Sequence, residues 1–138
     1  MNYEIDLLQL MKIIFKVYCP NSRDGEILKV VGNVPELGYW NPTHAFSLVT
    51  SKDKYPFWEG GVFIDKCSIN EWENIEFKYV LCRHDSTYWE THVQNRILEV
   101  NKDSANLYHV FNDNQDLFVE ENMFKEPITD SLTTNSQN

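Results

Sequence analysis

The sequence predicts an all-β domain, either a sandwich or an open barrel. Three observations carry this. Short runs rich in Val, Ile, Phe and Tyr recur along the chain, separated by clusters of Pro, Gly and Asn. The run Asn74–Cys82 (NIEFKYVLC) alternates cleanly, with Ile75, Phe77, Tyr79 and Leu81 on one face and Glu76, Lys78 and Val80 on the other. No long stretch carries the period of an amphipathic helix, and no internal repeat occurs.

Lys12–Tyr18 (KIIFKVY) is β-rich and ends in Pro20-Asn21-Ser22-Arg23-Asp24-Gly25, a cluster of turn formers. Ile27–Val31 is the second strand, closed by Gly32-Asn33. A long loop with Pro35, Gly38 and Pro42 follows and holds Trp40. Ala45–Val49 and Phe57–Ile64 are further strands, then the alternating 74–82 run. Thr87–Thr91, Arg96–Val100 and Leu107–Phe111 complete a set of about eight. Residues 12–112 therefore read as one domain. Residues 1–11 read as an N-terminal extension and 113–138 as a C-terminal extension, mostly a polar tail or linker.

The chain has 138 residues, enough to bury a core without staples. Acids outnumber bases by 21 to 12, a net charge of −9. That excess argues against nucleic acid and against an anionic membrane surface as partners. Cys19, Cys67 and Cys82 form an odd set with no CxxC spacing, a poor disulfide framework and a poor zinc site. The first ten residues hold no Lys or Arg, unlike a secretory leader. The expectation from these features is a cytoplasmic protein with reduced thiols.

No phosphate-binding loop, dinucleotide fingerprint or nucleophile elbow occurs. His44, His84, His92 and His109 lack metal spacing, so neither a metal nor a cofactor is expected. Asp85 and Glu90 are the nearest thing to a catalytic acid pair, and nearness in sequence does not supply a cleft.

Aromatic residues make up 14% of the chain, with four Trp. Trp40 lies in a Gly- and Pro-flanked loop, and Trp89 lies in Tyr88-Trp89-Glu90, which continues to Asn95-Arg96. An indole face stacks on the C–H face of a pyranose, and Lys or Asn beside it can hold the hydroxyls. Such a surface needs no catalytic group.

In order, VGN-PELG-W, a further Trp, IEFKYV and WE…NR resemble the starch-binding domain of carbohydrate-binding module family 20, over about Lys12 to Val110. The resemblance implies an immunoglobulin-like antiparallel β-sandwich of seven or eight strands that binds α-1,4-glucan without hydrolysing it. It further implies that Trp40 and Trp89 stack on the sugar, that Lys78 and Asn95 bind hydroxyls, and that Glu90 makes a backbone or side-chain contact. Tyr55 and Trp58 are the candidates for a weak second site, because the first turn (NSRDGE) lacks the family's aromatic. The implied partner is an α-glucan polysaccharide or maltooligosaccharide, with a catalytic domain or partner protein outside this chain. Two alternatives remain: a protein–protein interaction domain with a degenerate sugar site, and a glucan-cleaving enzyme using Asp85 and Glu90.

Overall fold

The computed structural model describes residues 9–69, 73–100 and 103–114. Eight strands form two sheets: β1 (Leu10–Tyr18), β2 (Ile27–Gly32), β3 (Phe46–Ser47), β4 (Phe57–Asp65), β5 (Ile75–Arg83), β6 (Ser86–Trp89), β7 (Arg96–Leu98) and β8 (Ser104–Val110). One sheet has the order β4-β1-β8 and the other β3-β2-β5-β6, with β7 also pairing β5. This is the two-sheet sandwich expected from the sequence. Every named strand pair is antiparallel except one: β8 runs parallel to β1, from Lys12 opposite Ser104 to Tyr18 opposite Val110. The first strand begins at Leu10, two residues before the expected domain boundary. Residues 1–8 of the expected N-terminal extension, and the C-terminal extension beyond residue 114, lie outside the described residues.

The alternation explains the layers. Met11, Ile13, Phe15 and Val17 of β1 point inward with Leu28 and Val30 of β2 and Ile75, Phe77, Tyr79 and Leu81 of β5. Phe15, Phe77 and Tyr79 meet edge to face, with centroids 5.5 to 6.2 Å apart, the arrangement their ring quadrupoles favour. Cys19 also belongs to this core, and burial pushes its thiol up to about 12, which leaves it inert.

β3 is shorter than the expected 45–49 run because the chain changes sheets there. Phe46 pairs with Val30 of one sheet, and three residues on Val49 bridges Glu59 of the other.

His109 of β8 reaches into the aromatic cluster, its Nδ1 2.6 Å from the Tyr79 hydroxyl. Burial, and secondarily the charge of Arg96, pull its pKa down to about 3. Folded His109 is therefore neutral where the unfolded chain takes up a proton. Its contribution is fully present above pH 6.5 and is lost as pH falls from 6.5 toward 3, at about 1.4 kcal/mol per pH unit. Urea midpoints of wild type and His109→Gln, compared from pH 7.5 to 4.5, should show the wild type losing stability more steeply below pH 6.5.

Candidate functional site: the outer face of the five-stranded sheet

The strand register decides which side chains face away from the core. On β2 these are Lys29 and Val31, and on β5 they are Glu76, Lys78, Val80 and Cys82. Trp89 of β6 is in register with Val80, so its indole projects from this same outer face, and it is 38% exposed. Val31 and Val80 are nonetheless fully buried, as is Val93, although all three lie apart from the main core. The loop carrying Trp40 packs against β2 at this end of the face.

That loop leaves β2 at Gly32. A Cβ on Gly32 would sit 2.5 Å from the Glu76 carbonyl oxygen, so only glycine lets β2 and β5 approach so closely there. The chain then makes a 3-10 turn at Pro35–Trp40, with Leu37 buried in the core and Glu36 Oε2 accepting from the Asp65 N–H at the end of β4. Gly38 has φ +79, and a Cβ there would lie 2.7 Å from the His44 carbonyl carbon, so the loop folds tightly on itself. Tyr39 and Trp40 follow at φ +48 and +69, left-handed conformations that cost an L-residue about 1–2 kcal/mol each. The Asn41 side chain then accepts from the Thr43 N–H, and Lys29 Nζ donates to the Pro42 carbonyl at 3.1 Å. Lys29 is in register with Val80, and Val80 with Trp89. The loop of the half-buried Trp40 and the exposed Trp89 therefore lie at the two ends of one row of the outer face, on a loop and a strand that are both firmly held.

β6 and β7 occupy the same edge of β5 in succession, leaving a gap beside Lys78 and Tyr79. Glu90 fills it. Its carboxylate takes the place of a strand, accepting from the Tyr79 N–H at 2.9 Å and from the Asn112 N–H at 2.6 Å. Arg96 completes the set with a two-pronged ion pair, Nη2 to Oε2 at 2.6 Å and Nε to Oε1 at 3.2 Å. Arg96 also donates to the Val110 and Asp113 carbonyls and stacks over Tyr79. Asn112 Oδ1 accepts from the N–H groups of Thr91 and His92, so the turn between β6 and β7 is pinned at both ends.

That turn closes an open groove of about 610 Å³, lined by Lys78, Asn95, Glu76, Thr91, His92 and Ile97, among others. Lys78 Nζ donates to the Glu90 carbonyl at 3.0 Å, and its ammonium has two further N–H directions. Asn95 donates to Glu76 Oε1 at 3.2 Å and keeps its amide oxygen uncommitted among the described residues. Lys78 and Asn95 thus come together in one groove. Trp40 and Trp89 do not line it and stand beside it instead.

Two expectations need correction, and one alternative falls. Glu90 is 1% exposed with every lobe of its carboxylate occupied, so of the backbone or side-chain contact implied for it only the backbone one stays open, and the carboxylate holds the turn. The same burial removes the acid pair with the exposed Asp85, since Glu90 can neither reach a scissile bond nor exchange protons with one. Trp58 is 6% exposed and pairs with Val17 in the core, so it offers no stacking face for a second site. Tyr55 stays exposed, and its hydroxyl bonds the Pro20 and Ser22 carbonyls at 2.9 Å each, fastening the first turn. No group of His, Cys, Asp and Glu that could hold a metal occurs among the described residues.

Sequence reasoning missed the outer-face contribution of Lys29, His92 and Ile97. Lys29 and Ile97 show the alternation that would have found them, while His92 is placed by Asn112, twenty residues away.

Comparison with known proteins bears on this face. A profile of the starch binding domain family matches residues 10–110. A glycerophosphocholine phosphodiesterase homologue of Caenorhabditis elegans is 46% identical over 43 residues, 31% of this chain and 6% of that protein. A gamma-CGTase from alkalophilic Bacillus clarkii aligns with TM-score 0.60 and 28% identity over 74% of this chain and 15% of that one. The isolated family 20 module of a maltotetraose-forming amylase from Pseudomonas saccharophila aligns with TM-score 0.53 and 23% identity, over 73% of this chain and 100% of that one, a likeness of fold. The chain thus spans only a small part of the larger proteins it resembles. With its profile match running from the first strand to the last, the chain belongs to the starch binding domain family, a family of non-catalytic carbohydrate-binding modules.

Proposed function

We propose that the outer face of the five-stranded sheet binds α-1,4-glucan, in starch, glycogen or maltooligosaccharides, by stacking sugar rings on Trp40 and Trp89. The observation that carries this reading is the pair of indoles flanking the Val80 row beside the Lys78 and Asn95 groove. The indoles offer flat apolar faces for the C–H groups of a pyranose. Lys78 and Asn95 offer donors and an acceptor for its hydroxyls, next to but not within the stacking surface. Strain stored at Tyr39 and Trp40 supports the reading, because a bulky residue at positive φ persists only where the surroundings over-determine it. A loop held in this way loses little freedom when sugar arrives.

Few atoms are buried by a short sugar on an open surface, so affinity is on the order of micromolar to millimolar. A polymer engaging many modules raises the apparent affinity by avidity. The output is localisation: an activity carried on a linked domain or a partner is held at the polysaccharide. The amylase, CGTase and phosphodiesterase relatives show the range of proteins in which such a module occurs.

Calorimetric titration of the wild-type protein with maltoheptaose and with β-cyclodextrin tests the reading. Saturable binding of both is expected. A folded protein that takes up neither at millimolar concentration would overturn it and favour a protein partner at the exposed aromatics.

A further inference from the structure

Two hollows open on the outer face of the five-stranded sheet, and the assignments above use only one. The second has a volume of about 530 Å³ and is lined by Ile27, Lys29, Thr43, Cys82 and Thr87, among others. The register fixes its position. The outward residues of β5 run Glu76, Lys78, Val80, Cys82, with Lys78 in the first hollow and Cys82 in the second. Val80 lies between them, in register with Trp89. Four residues of extended strand cover about 13 Å. Trp89 and the Trp40 loop therefore form a ridge with a hollow on either side, all three in line along β5.

The second hollow has its own chemistry. Ile27, 44% exposed, and the half-buried Cys82 form an apolar floor. The exposed Thr43 and Thr87 put hydroxyls at the rim, and Lys29 adds an ammonium with one of its donors already on the Pro42 carbonyl. Charges of both signs surround the hollow. Arg83 is paired with Glu26 at 3.1 Å, and Lys29, His84 and Asp85 all belong to the lining. A field so balanced selects neither an anion nor a cation. No Phe, Tyr or Trp lines the hollow, and its one aromatic ring is the small exposed imidazole of His84, so it lacks a broad plane for a nucleobase. A small apolar floor with a hydroxyl and ammonium rim suits a neutral, polyhydroxylated ring.

We propose that this hollow is a further subsite for the same glucan strand. A chain stacked on the ridge by its middle extends along β5 from Lys78 into the space around Ile27, Lys29 and Thr87. The inference rests on the glucan reading of the ridge and adds selection by length. A short sugar occupies the ridge alone, while a longer one gains the contacts beyond it.

The test is titration of maltotriose and maltoheptaose into wild type, Thr87→Arg and Thr43→Arg, two exposed positions where an Arg fills the hollow without entering the core. Circular dichroism checks that each variant is folded. Wild type should prefer maltoheptaose, and each variant should lose about fivefold of that preference, with maltotriose affinity unchanged. An unchanged preference in both variants overturns the inference. Parallel loss of both sugars overturns it too, since it would put these residues in the ridge itself. Wild type binding neither sugar is a different failure, which removes the glucan reading and this inference with it.

Discussion

Glu90→Gln is expected to lower the free energy of unfolding by about 3–5 kcal/mol, a large share of the total stability of a domain this size. The carboxylate accepts from two backbone N–H groups and from two nitrogens of Arg96, with its side chain wholly out of solvent. An amide in its place keeps one acceptor but turns an NH2 toward donors. It also leaves the guanidinium, itself only 10% exposed, buried without a counter-charge. Urea denaturation reads the effect as a fall in midpoint of roughly 2 M, taking a slope typical of small proteins. The pair variant Glu90→Leu with Arg96→Met separates two causes. It removes the unpaired charge while still orphaning the Tyr79 and Asn112 N–H groups. Its loss should fall short of the sum of the single losses by about 1–3 kcal/mol. A strictly additive cycle would mean that the two residues act independently.

The second large effect is on binding. Trp40→Ala and Trp89→Ala should each weaken maltoheptaose by about 30-fold, as removal of an aromatic anchor at the centre of a contact surface does. Together they should leave no saturable binding at millimolar sugar. Neither indole belongs to the main core, so both variants should stay folded, although Trp89→Ala uncovers its register partner Val80 and should melt somewhat lower. Calorimetric titration with a thermal melt of each variant checks both halves. Undiminished binding by the folded double variant would move the sugar off this ridge.

The sheets were legible because their signal is local. Period-2 alternation in 74–82 names the inward face of β5, and turn formers bracket most of the other strands. Departures arise where a distant segment intervenes. Val80 has the outward position that the pattern implies and is still buried, with Trp89 of β6 beside it in register. Strand β6 stops at Trp89 because Glu90 turns in to bond Asn112, a partner 22 residues on. No spacing rule in the sequence announces that closure. The resemblance implies a backbone or side-chain contact for Glu90, and only the fold separates the exposed Trp89 indole from the buried carboxylate beside it. Trp58 misled for a related reason. Its position in the family pattern makes it a second-site candidate, and its pairing with Val17 turns it inward.

The parallel pairing of β1 and β8 governs how this module can be joined to anything else. Two neighbouring strands running the same way put the start of one and the finish of the other at opposite poles, here roughly 25 Å apart for the length of β1. The domain therefore threads like a bead on a string. It cannot be grafted into a surface loop of a host without a spacer long enough to run back along its flank. β1 and β8 also both belong to the sheet on the far side from Trp89.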